Sequence, residues 1–167
     1  SFKPDDIESA RNAAREIAVT NVFTFSAIAA CLNDTDEPPV PMSVLELAEV
    51  GSGTAGLCLQ PNLRFAMARW PLIGVWSSHK REPVAIDGPL ARKLSRIAVS
   101  HNGEDIQLLE LDAARFAFWR ALHRGLSLAL AAERALARDR LFDLVGETVI
   151  LFRSRLVTGV FTPLRQC

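Results

Sequence analysis

The feature that most constrains the fold of this 167-residue sequence is an almost continuously apolar stretch at positions 141–157. Its apolar residues are Leu141, Phe142, Leu144, Val145, Val149, Ile150, Leu151, Phe152, Leu156 and Val157. The pattern predicts a helix, closed by Gly159, that has almost no polar face and must be buried on most sides. The simpler explanation is that the first half of the chain packs against this helix and covers it. The alternative is that a bound partner covers it.

Composition and charge narrow the class of protein. Hydrophobic residues make up 49% of the chain, and nineteen basic residues balance nineteen acidic ones. This content favours an ordinary globular protein over a disordered one, and zero net charge disfavours a dedicated nucleic-acid binder. No run reaches the ~20 apolar residues of a membrane span, and the first twenty positions carry many charges. We therefore expect a cytoplasmic protein that does not bind membranes.

The middle of the sequence predicts a β-hairpin. Apolar residues alternate on both sides of His-Asn-Gly-Glu-Asp at 101–105. The dipeptide Asn102-Gly103 is typical of a type I′ turn, because both of its residues tolerate a positive φ. The second strand of this hairpin is expected at 106–111.

Three helices are predicted after the hairpin. Asp112 is expected to cap the first, which Gly125 ends, and Ser127 to cap the second, which runs to about Ala137. The apolar stretch at 141–157 is the third, and Gly-Val-Phe-Thr-Pro after it is compatible with a short strand or wing. Hairpin and three helices in this order are typical of a winged-helix module.

The first half of the chain reads as a helical and mixed subdomain. Residues 6–33 have the spacing of a long amphipathic helix, and 58–71 read as two short extended pieces broken at Pro61. We therefore predict an α+β fold with a helical/mixed subdomain at 1–88 and a winged-helix-like module at 89–167.

No catalytic residue, metal or cofactor is predicted in this chain. The histidines and cysteines are far apart and lack the spacing of metal ligands or of a Cys-x-x-Cys motif. They are His79, His101, His123, Cys31, Cys58 and Cys167. The segment Gly-Ser-Gly-Thr-Ala-Gly at 51–56 lacks the Lys-Ser/Thr ending of a phosphate loop and is read as a linker.

Two segments have the character of a peptide-binding surface. If the strand at 106–111 lies at the edge of a sheet, its free amides and carbonyls can pair with an added peptide strand. An edge that Glu104, Asp105 and Glu110 merely protect is an equally good reading. The second segment is the apolar helix at 141–157.

Several motifs resemble those of a known family. They are LQPNLRFAMARWPLIGVWSSHKREPVAID, LDAARFAFWRALHRGLSLALAAERAL and LVTGVFTP, of which RWPLIGVW at 69–76 is the most specific. The sequence over about 6–163 resembles the C-terminal region of the HvfC/BufC family and its shorter relatives, the C subunits of methanobactin biosynthesis. The resemblance does not include the additional N-terminal helical domain of HvfC/BufC, so we expect this chain to be one of the shorter subunits. The related subunit for cysteine excision in 3-thiaglutamate biosynthesis is the alternative.

The resemblance implies a non-catalytic subunit in a heterodimer. Its partner would be a TIM-barrel, multinuclear iron enzyme that oxidatively modifies cysteine in a ribosomally made precursor peptide, forming an oxazolone and a thioamide. The iron would belong to the partner. The C-terminal module would bind the leader of that peptide, as a strand added beside the strand before the first helix and packed on the third helix.

Transferred to this sequence, the resemblance implies two groups of contact residues. Those for the leader peptide are Ile106, Gln107, Leu108, Leu109, Glu110, Leu111, Phe142, Val145, Val149 and Phe152. Those for the iron enzyme are Arg69, Trp70 and Trp76, together with the N-terminal portion. Large aromatic side chains are typical interface anchors, but burial in the core is an equally good reading for both tryptophans.

Two functions of other classes stay open from the residues alone. A winged-helix DNA-binding regulator is disfavoured, because its recognition helix would offer only Arg153 and Arg155 among apolar residues. A free-standing enzyme is the weakest reading, because no acid, base and nucleophile cluster in sequence.

Overall fold

Two antiparallel sheets and three helices make up the part of the chain that the computed structural model describes. It describes residues 40–42, 55–71, 73, 93–102 and 105–161. The elements are β1 (Gly56–Leu59), β2 (Arg64–Ala68), β3 (Ser95–Asn102), β4 (Asp105–Glu110), α1 (Ala113–His123), α2 (Leu128–Leu136), α3 (Leu144–Arg153) and β5 (Val157–Phe161). The predicted α+β class is confirmed. The predicted helix at 6–33 and Trp76 lie outside the described residues.

The larger sheet has the strand order β2-β3-β4, and β3 and β4 form the predicted hairpin. Its turn differs from the prediction by one position. Asn102 is still paired in the ladder, opposite Asp105. Asn102 therefore ends β3 instead of being the first turn residue.

Strands from the first half of the chain complete both sheets. β2 pairs with β3, with Arg64 opposite Val99, and β1 pairs with β5, with Leu57 opposite Val160. The two extended pieces predicted on either side of Pro61 are thus strands. Both ladders join residues from the two sides of the predicted boundary between 88 and 89, so residues 56–68 belong to the same hydrogen-bonded unit as the helices.

The caps of the first two helices are those that the sequence predicts. The Asp112 carboxylate accepts hydrogen bonds from the amides of Ala114 and Arg115, at 2.9 and 2.8 Å. The Ser127 hydroxyl accepts one from the Leu130 amide at 3.3 Å. Gly125, at φ 79°, follows the end of α1 in the left-handed region that glycine adopts most easily.

Helix α3 is shorter than the predicted helix at 141–157. Asp143 caps its start by accepting a hydrogen bond from the Gly146 amide at 2.9 Å. Beyond its end, Arg155 has a φ of 57°, and Val157 already belongs to β5. Gly159 does not close the helix but pairs with Cys58 in the small sheet. The β-branched residues after 156 thus extend the ladder with β1 instead of the helix.

The larger sheet has buried apolar side chains on both of its faces. Ala98 and Leu109 belong to the face that packs on the helices, while Ile97 and Val99, both 0% exposed, lie on the opposite face. The helix-side core is the larger, and its fully buried large side chains are Leu57, Leu63, Phe118, Trp119, Leu122, Leu151 and Val157. Over the described ranges, no helix has the length and apolar character needed to span a membrane.

Candidate peptide-binding site

Strand β4 has one strand neighbour among the described residues, β3. The Leu111 amide donates to the Arg96 carbonyl at 2.8 Å, immediately beyond the last paired residues of the β3–β4 ladder. Hydrogen-bonded and non-bonded pairs alternate in an antiparallel ladder, so the main chain of every second residue of β4 faces away from β3. Ile106, Leu108 and Glu110 therefore direct their amides and carbonyls toward the outer edge.

The side chains of β4 fix the strand rather than cover this edge. Leu109 packs on the helix-side core, and Ile106 and Leu108 pack on Ile97 and Val99 on the opposite face. The other two predicted contact residues of the strand, Gln107 and Glu110, are exposed. What the edge offers a ligand is thus mainly main-chain hydrogen bonding.

One predicted residue of this segment is placed differently. Leu111 is 3% exposed and lies beyond the end of β4, where it joins the helix-side core. The ammonium of Lys93 lies 3.2 Å from the Glu110 carboxylate, so the charge of Glu110 is partly neutralised within the sheet. Leu111 therefore supports the strand from inside and is not on its surface.

Helix α3 presents apolar side chains to solvent. Leu141 just before the helix is 90% exposed and Val145 is 74% exposed, and Val149 and Ile150 are exposed as well. We call these four residues the α3 apolar face. The expectation that this helix is buried on most sides is therefore wrong for one side, because only Leu151 and Phe152 among the large apolar side chains of α3 are buried.

The other predicted contact residues of this helix divide between surface and core. Val145 and Val149 belong to the α3 apolar face, but Phe152 is 7% exposed and is part of the core. Phe142 is half-buried, and its ring centre lies 5.2 Å from that of Phe118 on α1. Phe142 and Phe152 therefore hold α3 in place, and the two valines are the residues available to a ligand.

A buried ion pair fixes α3 against the helix that follows β4. Glu147, in the first turn of α3, is 5% exposed, and its carboxylate lies 2.8 Å from Nε of Arg115 in the first turn of α1. The indole N–H of Trp119 donates to the other oxygen of the same carboxylate. Because α1 begins directly after β4 and Asp112, this contact holds the start of α3 relative to the end of β4.

Sequence reasoning missed Glu147. The sequence does contain an indication of its role, because Glu147 is the only acidic residue of a mainly apolar helix. Residues of this kind are rarely buried unless they are paired, so a buried partner was the physical expectation.

The residues predicted to dock a partner do not form a surface cluster among the described residues. Arg69 is exposed, but Trp70 is 4% exposed and belongs to the interior. Trp70 thus has the core placement that is the alternative reading for it, and not that of a surface anchor. Among the residues that the structure describes, no group of three His, Cys, Asp or Glu side chains is placed to hold a metal ion.

Over the described residues, the chain is an α+β protein in which β4 has one strand neighbour and α3 exposes apolar side chains. A scan against protein-family models and searches of curated proteins and of solved structures found no match to this chain.

The exposure of the α3 apolar face predicts a contrast between two isosteric substitutions. Val145→Thr should change the free energy of unfolding by less than about 0.5 kcal/mol, as is usual on a surface. Val157→Thr, at a position that is 0% exposed, should cost about 1–3 kcal/mol because it buries a hydroxyl. Urea unfolding of both variants measures the difference. An equal loss in both would show that Val145 is covered in the folded protein.

Proposed function

We propose that this chain is a non-catalytic, peptide-binding subunit of a two-protein enzyme that modifies cysteine in a ribosomally made precursor peptide. It holds the leader segment of that peptide and presents the cysteine to the partner, a TIM-barrel, multinuclear iron enzyme. The motifs around RWPLIGVW suggest this partner and this chemistry. The iron and the oxidation belong to the partner.

The observation that carries the proposal is the outward-facing main chain of β4. A peptide laid along this edge can form backbone hydrogen bonds with Ile106, Leu108 and Glu110 and thereby extend the sheet by one strand. Backbone pairing of this kind supplies affinity with little demand on sequence. Specificity then has to come from side chains beside the strand.

The α3 apolar face supports a protein ligand over DNA. A helix that reads DNA needs hydrogen-bonding side chains toward the base edges. Instead, α3 exposes Val145, Val149 and Ile150, and its one basic residue, Arg153, is the last of the helix. Exposed apolar side chains of this kind suit apolar residues of a bound peptide.

The proposed partner, and not this chain, catalyses the reaction. Oxidation of cysteine to an oxazolone with a neighbouring thioamide is the product class that we propose, and cysteine excision in the related 3-thiaglutamate pathway is the alternative. Docking of the iron enzyme is assigned to the N-terminal portion and to the region of Arg69 and Trp76.

Co-expression with a TIM-barrel, multinuclear iron enzyme of the proposed partner class tests this assignment. The two proteins should copurify in a 1:1 complex, and the precursor peptide should be modified only when both are present. Mass spectrometry of the peptide gives the readout. Normal modification by the iron enzyme alone, without copurification, would contradict the proposal.

A further inference from the structure

A cavity of about 570 Å³ lies along α1, on the helix side of the larger sheet. Its lining combines an apolar floor, which includes Phe116 and Met67, with five arginines and no acidic residue among the described lining residues. The arginines are Arg96, Arg120, Arg124, Arg134 and Arg138. Arg96 belongs to β3, Arg120 to α1 and Arg134 to α2, while Arg124 and Arg138 follow the ends of α1 and α2. A strand and two helices therefore place positive charge in one cavity.

These charges have no carboxylate partner among the described residues. The ion pairs found there join Lys93 to Glu110 and Arg115 to Glu147. The guanidinium of Arg120 instead lies over the Phe116 ring, 5.4 Å from its centre. Residues 113–140 carry six arginines against one glutamate and one aspartate, although the whole chain has no net charge.

Helix dipoles explain only part of this arrangement. Arg120 and Arg134 lie in the last turns of α1 and α2, where a cation is favourable. Arg96 lies on a strand and gains nothing from a helix end. The dipoles therefore account for single arginines but not for their convergence, which like-charge repulsion opposes.

The positive field is also apparent at the neighbouring histidine. His123 packs edge-on against Phe65, with ring centres 5.4 Å apart. Partial burial lowers its pKa, and the charges of Arg64 and Arg124 lower it further.

We propose that this cavity binds a compact, multiply charged phosphate ester, of which a nucleoside diphosphate is the model ligand. Guanidinium groups bind phosphate oxygens in bidentate fashion, and several of them match a ligand with several charges within a few ångströms. The volume lies in the range of small-molecule sites, and the apolar floor suits a ring attached to the phosphates. An acidic peptide or a nucleic-acid strand would spread its charges over a longer path.

This site is separate from the proposed peptide-binding edge. Its lining includes residues of β2, β3, α1 and α2 but none of β4 or α3. The two proposals can therefore fail independently of each other.

Isothermal titration calorimetry of the full chain with inorganic pyrophosphate and with ADP tests the inference. Both ligands should bind saturably, and ADP should bind more tightly because its ring adds contacts with the floor. Arg124→Gln and Arg134→Gln should each weaken binding by about 10-fold or more, since a charged hydrogen bond is lost. Both positions are exposed, so the fold should tolerate the change.

Arg140→Gln is the matched control, because Arg140 is exposed and lies outside the cavity lining. It removes the same charge and should leave both affinities nearly unchanged. Equal weakening in all three variants would overturn the inference, because it would show binding to net charge and not to the cavity. Absence of saturable binding to the wild-type chain, or tighter cavity-dependent binding of hexaglutamate or duplex DNA than of ADP, would also overturn it.

Discussion

Arg115→Met is expected to lower the free energy of unfolding by about 3 kcal/mol, because it leaves the buried Glu147 carboxylate without its cation. Glu147 is 5% exposed, and Arg115 Nε is its ion-pair partner at 2.8 Å. Trp119 still donates its indole N–H to the carboxylate, but a neutral donor does not replace a charge. Chemical denaturation monitored by circular dichroism measures the loss.

Lys93→Met is the matched control for that substitution. Lys93 also pairs with a glutamate, Glu110, but the two side chains are 67% and 41% exposed. An exposed pair contributes about 0–1 kcal/mol, so the control should lose little. Adding Glu147→Gln to Arg115→Met should restore part of the stability, because an uncharged amide needs no cation and still accepts from Trp119. Equal losses for the two single variants would contradict the role given to burial.

Glu110→Pro is expected to weaken binding of the precursor peptide by about 10-fold or more, since it removes an outward amide from the edge of β4. The Glu110 amide is not part of the bonding to β3 in the register described, so the hairpin should persist. Fluorescence anisotropy with a labelled leader peptide measures the affinity. Thermal unfolding of the same sample checks that the variant is folded.

Glu110→Ala separates the main chain from the side chain at this position. It removes the ion pair with Lys93 but keeps the amide, so it should bind the peptide nearly as well as the wild-type chain. If the alanine variant loses as much affinity as the proline variant, the carboxylate and not the strand edge is the binding group.

Local hydrogen bonding explains which parts of the fold the sequence predicts well. The caps at Asp112 and Ser127 depend on side chains that bond amides two or three residues away. The hairpin depends on two segments rich in apolar residues that are close together in the sequence. In each case the deciding partners are close in sequence and can be read from residue types.

The features that sequence reasoning misplaced depend on distant partners. The apolar run at 141–157 appeared to be one helix, but residues 157–161 pair with β1, and the Thr158 hydroxyl reaches the Cys58 carbonyl 100 positions away. Burial of Phe152 likewise results from tertiary packing, and tertiary packing also decides between the surface and core readings of Trp70 in favour of the core. The arginine cavity combines residues of β3, α1 and α2, so no local motif indicates it.

The proposed addition of a peptide strand to β4 can be tested by hydrogen–deuterium exchange of the β4 amides. The full chain is compared with and without a saturating amount of the precursor peptide. We expect the amides of Ile106, Leu108 and Glu110 to become protected, while those of Gln107 and Leu109, already bonded to β3, change little. Binding of the peptide with no added protection at these three amides would show that the peptide does not pair with β4.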